Sequence, residues 1–194
     1  MKRWNPATRA WDIDYRPSKR QYPPLPLEIQ KQLKAVEPTH DGMMEYFPCA
    51  VTLGTGEICE CVYFANADLY IKFWGVWPDD DPEKRTLRLE DVTVIQPSAK
   101  RLPVQFAREM YAAGESRMGG CIFTLRFRDG SKQSYSTGNL VDFLEMPEGK
   151  MLKDVIGLVP HKGDEQRALS SLPYSWCLFG ESEQKPLRAR IFKK

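Results

Sequence analysis

The sequence lacks any apolar run long enough to cross a bilayer, and Met1-Lys2-Arg3-Trp4-Asn5-Pro6 leads into no hydrophobic stretch of a secretory signal. The chain is therefore expected in the cytoplasm, with no membrane partner. It is poor in histidine. His40 and His161 are the only two, so imidazole chemistry has little to draw on. A Cys-His or Ser-His arrangement would have to combine His161 with Asp142 or Asp154 and Cys121 or Ser136, and no strand-turn-helix nucleophile motif supports it. Cysteine is sparse and odd in number, with Cys49, Cys59, Cys61, Cys121 and Cys177. No Cys-x-x-Cys pair is present. Zinc on a small scaffold and a disulfide framework are both disfavoured, and the thiols read as reduced, small apolar fillers.

Excess charge is absent too. The formal net charge is +2, so any electrostatic footprint must come from local clustering. Phosphate-binding glycine patterns are missing: Gly54-x-Gly56 sits in a turn, and residues 114–120 lack the lysine and following helix of a P-loop. No cofactor, metal ligand or catalytic residue is assigned on these grounds. Asp91 and Asp154 remain as a carboxylate pair for an enzyme reading, opposed by a structural role at strand starts.

What the chain does have is a weak internal repeat. Cys49-Ala50-Val51-Thr52-Leu53 returns as Cys121-Ile122-Phe123-Thr124-Leu125, each copy followed by a glycine turn, Thr55-Gly56 and Asp129-Gly130. Further on, Leu89-Glu90-Asp91-Val92-Thr93-Val94-Ile95-Gln96-Pro97 returns as Leu152-Lys153-Asp154-Val155-Ile156-Gly157-Leu158-Val159-Pro160. Two matches in the same order imply a degenerate duplication of a small β-unit.

Taken in order, residues 1–24 interleave Trp4, Trp11, Tyr15 and Tyr22 with arginines and lysines and show no hydrophobic period, which reads as an extended arm docking its aromatics on its own body or on a partner. Arg20-Gln21-Tyr22-Pro23-Pro24-Leu25-Pro26 has the Arg-x-x-Pro-x-x-Pro form of a polyproline ligand. Leu25, Ile29, Leu33 and Val36 recur at helical spacing, predicting a helix over 26–36. From 46 to 77 the alternation predicts a three-stranded meander whose third strand turns Leu69, Ile71 and Phe73 inward and Tyr70, Lys72 and Trp74 outward. Asp79, Asp80 and Asp81 read as a solvated acidic loop. Pro103 to Ala113 is the strongest helix, bridging the two copies, with Gly114 as its stop. The second copy opens with Cys121, Phe123, Leu125 and Phe127 on one face and Thr124, Arg126 and Arg128 on the other, then the Asp129-Gly130 hairpin. Residues 164–171 could form a short helix, 172–179 a last strand, and 181–194 a charged tail.

The resulting expectation is an α+β, mainly β protein. Two related antiparallel β-meander units of SH3-like, small-barrel size are joined by one amphipathic helix, with an N-terminal helix and extended arm outside. The divisions fall at 1–42 (arm and helix), 43–100 (first β-unit), 101–163 (bridging helix and second β-unit) and 164–194 (C-terminal segment and tail). The function expected is that of a non-enzymatic cytosolic binding or adaptor protein, with a protein partner met by Tyr70, Trp74, Trp77, Trp4 and Trp11. The alternative is an RNA- or DNA-binding protein using a basic strand face of Arg117, Arg126, Arg128 and Lys132 with Tyr135.

Overall fold

Two hairpins closed by glycine set the frame. Gly56 (φ +88°) and Gly130 (φ +84°) occupy left-handed backbone that a side chain would strain. Their N–H groups donate to Leu53 and Phe127 carbonyls at 2.9 Å each, while the Leu53 and Phe127 N–H groups donate to Glu57 and Ser131. Both are three-residue loops ending in a left-handed glycine. They are seen in a computed structural model of the chain, which describes residues 3–7, 9–12 and 18–180.

The chain runs β1 (Arg3–Asn5), β2 (Ala10–Asp12), α1 (Leu27–Leu33), β3 (Thr39–Asp41), β4 (Met44–Leu53), β5 (Ile58–Asn66), α2 (Ala67–Trp74), β6 (Arg85–Leu87), β7 (Val92–Pro97), α3 (Val104–Ala113), β8 (Cys121–Phe127), β9 (Lys132–Thr137), β10 (Val155–Pro160) and β11 (Ser175–Phe179). The molecule is mainly β, with three α-helices and two principal sheets beside the short β1-β2 ribbon. Among the described residues no helix is long and apolar enough to cross a membrane. The expected charged tail at 181–194 lies outside the described residues, as do Tyr15 and Arg16 of the arm.

The larger sheet has the order β3-β4-β5-β11-β6, and β7 continues the β3 edge of β4. Its centre, the second half of β5 and the neighbouring β11, is buried on both faces, and strict alternation shows it. Along β5, Val62 and Phe64 enter one apolar cluster with α1, while Tyr63 and Ala65 enter the other with α2. Along β11, Cys177 goes to the first, and Trp176 and Leu178 to the second. A strand buried on both sides reads as a continuous apolar run. The second sheet, β10-β8-β9, turns Cys121, Phe123, Leu125 and Phe127 onto Ala107 and Met110 of α3.

Three expectations need correction. The third strand of the first meander is helix α2: the Asn66 side chain accepts from the Asp68 and Leu69 N–H groups, and Gly75 (φ +72°) supplies a left-handed stop. Apolar residues at five of the six positions 69–74 suit a helix as well as a strand, and the caps decide. The first unit is also no purely antiparallel meander, because β11 pairs parallel with both β5 and β6. A parallel partner needs a long crossover, and here everything between β7 and β11 supplies it. Finally, the acidic loop is clamped. Asp79 and Asp80 hold the Arg20 guanidinium at 3.2 and 2.7 Å, Thr86 donates to Asp79 at 2.7 Å, and Asp81 lies 3.6 Å from Lys84 Nζ.

That clamp holds residues 18–24 against the body. Arg20 also lies over the Trp77 ring, whose Nε1–H donates to the Ser18 carbonyl at 2.9 Å, and Tyr22 packs on the same indole at 5.3 Å. The Pro23 carbonyl accepts from Gly180 N–H. The Arg-x-x-Pro-x-x-Pro segment is thus engaged by the protein's own body. A Cβ on Gly180 would sit 2.3 Å from the Tyr22 carbonyl oxygen, and backbone cannot step aside as a flexible side chain can. Gly180→Ala is expected to cost about 1–3 kcal/mol and to peel residues 18–24 from the body, read as a red-shifted Trp77 emission together with a lower denaturation midpoint.

Candidate functional site

The residues expected to meet a partner are mostly committed inside. Tyr70 is 0% and Trp77 3% exposed, both in an aromatic cluster around Trp176, whose ring lies 4.8 Å from Tyr70 and 5.3 Å from Tyr63. Trp74 is partly buried and, with Tyr70, cages the Lys84 ammonium, which stands 4.3 Å over the Trp74 ring and donates to the Tyr70 hydroxyl at 2.9 Å. Burial pulls the Lys84 pKa below its usual value. These rings entered the expectation through a strand face that is in fact a helix. Trp4 and Trp11 pair across β1-β2.

The basic set is divided. Arg126, Arg128 and Lys132 are exposed, and Arg126 lies flat over Gly157, where a Cβ would meet its guanidinium at 2.6 Å. Tyr135 is fully buried, stacked on Phe123 at 5.3 Å, and donates its hydroxyl to the Glu145 carbonyl. It is unavailable to a base. Arg117 donates to Ser136 at 2.8 Å and lies 3.9 Å from Glu165. Residues 121–167 carry seven Lys or Arg and seven Asp or Glu, of which Asp142 is buried. Residues 162–164 also cross its upper part: Thr124 donates to the Lys162 carbonyl, and Asp164 N–H donates to Ser134.

The proposed nucleophiles and bases do not converge. His161 is exposed, at φ +55°, with Nε2 3.1 Å from the Gly114 carbonyl rather than near Asp142. Burial pushes the Cys49 thiol up to about 12 and Cys61 to about 11, and it raises Cys59, Cys121 and Cys177 as well. Such thiols stay protonated and poorly nucleophilic at neutral pH. Among the described residues no group of three or more His, Cys, Asp or Glu lies close enough to hold a metal. Asp91 and Asp154 do matching backbone work, their carbonyls accepting from Gly54 and Arg128 N–H at 2.8 and 2.9 Å.

Two polar centres were missed. The first is Asp142, 0% exposed. It accepts from Thr39 at 2.8 Å, Tyr111 at 2.8 Å and Tyr63 at 3.4 Å, and Arg101 Nε lies 3.5 Å away. Arg101 also donates to the Thr39 hydroxyl and the Glu37 carbonyl. Five segments, from β3, β5, the 101 linker, α3 and residue 142 itself, meet at one carboxylate. Its burial raises its pKa against the opposing pull of Arg101. The signal was a lone acid inside Leu140-Val141-Asp142-Phe143-Leu144, since acids are seldom fully buried unless paired.

The second is a cleft of about 160 Å³ lined by Asp41, Phe73, Met110, Tyr111, Glu115, Cys121 and Asn139, among others. It opens where α2, the end of α3 and the start of β8 meet. Glu115 accepts from Gly119 N–H at 3.0 Å and from Asn139 Nδ2 at 2.9 Å. Burial and the nearby Glu115 raise the Asp41 carboxyl above the ordinary aspartate range, against the Tyr46 hydroxyl. No short sequence motif links residues this far apart. Comparison of the chain with protein families, curated proteins and solved structures finds no match.

Proposed function

We propose that the chain is a non-enzymatic, cytosolic binding protein that grips a protein partner with the outward sheet face of the first of two duplicated β-units. Duplication is supported by backbone geometry. β8 stands in the middle of its sheet between β9 and β10, as the second half of β4 stands between β5 and β7. Leu53 pairs with Val92, Thr52 with Val94 and Cys49 with Pro97; Phe127 pairs with Val155, Arg126 with Gly157 and Phe123 with Pro160. Each third strand follows a 3₁₀ turn and skips one residue in the same place. Each unit is also preceded by a helix that packs on its third strand, α1 on β7 and α3 on β10. In this reading α3 belongs to the second unit as α1 belongs to the first, and the pentapeptide match is two residues out of register. A two-residue slip keeps every side chain on its face, so the pattern survives it.

The observation that carries the function is the row Val94–Thr52–Ile58 across three neighbouring strands, with Val94 42% and Ile58 56% exposed. The matching row of the other unit is Gly157–Arg126–Lys132. At equivalent positions the first unit presents Val94 and Ile58 on either side of Thr52, and the second presents Arg126 and Lys132 beside Gly157; a row of β-branched residues suits a protein surface better than phosphate. The free thiols of all five cysteines support a reducing compartment.

The test is capture of partners from the native host, with and without nuclease and at low and physiological salt. Retention should survive both nuclease and salt. It should fall at least tenfold, about 1.4 kcal/mol, in Ile58→Glu/Val94→Glu, while Arg126→Glu/Lys132→Glu retains it. Loss on nuclease treatment or in the Arg126 variant instead would select nucleic acid.

A further inference from the structure

We propose that the groove formed by Trp77, Asp79, Asp80 and Gly180 receives an extended, arginine-led and proline-containing segment of a partner protein, with residues 18–24 as its resident occupant. The occupant shows the chemistry that the groove selects. Its Arg20 guanidinium meets the Asp79 and Asp80 carboxylates at 3.2 and 2.7 Å and lies over the Trp77 ring at 5.7 Å, a planar fork that lysine would match only in charge. The main chain of this strap is gripped at two carbonyls: Trp77 Nε1–H donates to Ser18 and Gly180 N–H to Pro23, each at 2.9 Å. Neither contact asks an N–H of the occupant. Proline, which has none, therefore loses nothing there and pre-sets an extended backbone whose carbonyls are free. A Cβ on Gly180 would fall 2.3 Å from the Tyr22 carbonyl oxygen, so glycine is what admits a second backbone this closely.

The occupant is exchangeable. Arg20 and Asp79 leave 29% and 49% of their side-chain surface in water, and ion pairs so exposed contribute little. Arg20 stands outside the three apolar clusters, and Tyr22 joins one of them only as a partly buried member, so the strap can leave without opening the core. It also leaves part of the groove unfilled. A cleft of about 200 Å³ runs beside Tyr22 and Pro23, walled in part by Pro78, Leu87, Leu89 and Leu178. A foreign segment displaces the resident one only through contacts that the resident lacks, and apolar side chains entering this cleft provide them. The groove shares no residue with the row Val94–Thr52–Ile58, so this site and the reading of that face can fail separately.

The test is titration of the full chain, parent and variants, with a fluorescently labelled peptide of residues 18–26, read by anisotropy and by the ¹⁵N shift of the Trp77 indole N–H. In the parent the strap competes, so the peptide should bind weakly. Arg20→Glu sets a third carboxylate against Asp79 and Asp80 and expels the strap; it should bind the peptide about tenfold more tightly while keeping the parent's cooperative urea transition. In that background Asp79→Asn/Asp80→Asn should weaken the peptide about tenfold, as should glutamate in place of the peptide's arginine. Alanine in place of its prolines should weaken it about threefold, through lost pre-organisation. Equal binding to the parent and Arg20→Glu chains, or no saturable shift at Trp77 in either, would overturn the groove. A concentration-dependent dimer of the parent that excess peptide fails to dissociate would overturn the foreign partner in favour of strap exchange between copies.

Discussion

A chain ended after Ser171 should fail to fold, although the residues removed resemble an appendage in sequence. It loses β11, which fills the gap between β5 and β6 with parallel pairs to each, from Ser175↔Val62 and Ser175↔Arg85 onward. It also loses Trp176, which is 1% exposed and touches Tyr46, Tyr63, Tyr70, Trp74 and Tyr174 at centroid distances between 4.8 and 6.4 Å. Edge-to-face aromatic pairs add to ordinary burial, and truncating a buried tryptophan to alanine costs about 3–5 kcal/mol. Against a total of about 5–15 kcal/mol for a domain, Trp176→Ala alone should leave a marginal protein with a strongly lowered urea midpoint. Removal of the whole strand, which opens both apolar clusters at once, should leave no cooperative transition by circular dichroism. A truncated chain that kept the first sheet would show instead that residues 18–97 fold without their C-terminal partner.

The same strand marks where the sequence stops being legible. Local chemistry was readable: the Gly56 and Gly130 turns, the Pro103–Gly114 limits of α3, and the inward and outward alternation of β8 all depend on residues within one element. Long-range pairing was not. Nothing in Ser175-Trp176-Cys177-Leu178-Phe179 says that its partners are Val62 to Asn66 and Arg85 to Leu87. Its apolar run announces burial on both faces without naming the neighbour. Helix α2 was lost for a local reason, because Leu69 to Trp74 is apolar nearly all round and satisfies either period. Its Asn66 cap and Gly75 stop were the better guide. The cleft and the Asp142 centre gather residues from 30 to 100 positions apart, where spacing carries no information and only a lone acid in an apolar run hints at a buried network.

That network should be the most sensitive polar point in the molecule. Asp142→Leu would leave the Arg101 charge without its carboxylate and remove the acceptor of the Thr39, Tyr63 and Tyr111 hydroxyls together. Removing one partner of a buried charge pair costs about 3–5 kcal/mol, so this variant should be largely unfolded at 37 °C. Asp142→Asn keeps an acceptor for Thr39 or Tyr111 and should lose less, about 1–3 kcal/mol. The pH response separates charge from shape. Because burial raises the Asp142 pKa in the folded state above its unfolded value, the native chain binds the proton more tightly, and stability rises as pH falls through that window. This contribution is complete below the unfolded aspartate pKa and is lost as pH climbs through the folded one. Asp41 shifts the same way through burial and Glu115, so the two must be told apart by variants. Urea midpoints measured at intervals from mildly acidic to neutral pH should show a slope that is shallower in Asp142→Asn than in the parent chain, and shallower again with Asp41→Asn added. An unchanged slope in Asp142→Asn would mean that the pull of Arg101 offsets burial and leaves the carboxyl titrating alike in the folded and unfolded chains, and that the five segments meet around an ion pair rather than around a carboxyl that gains from its proton.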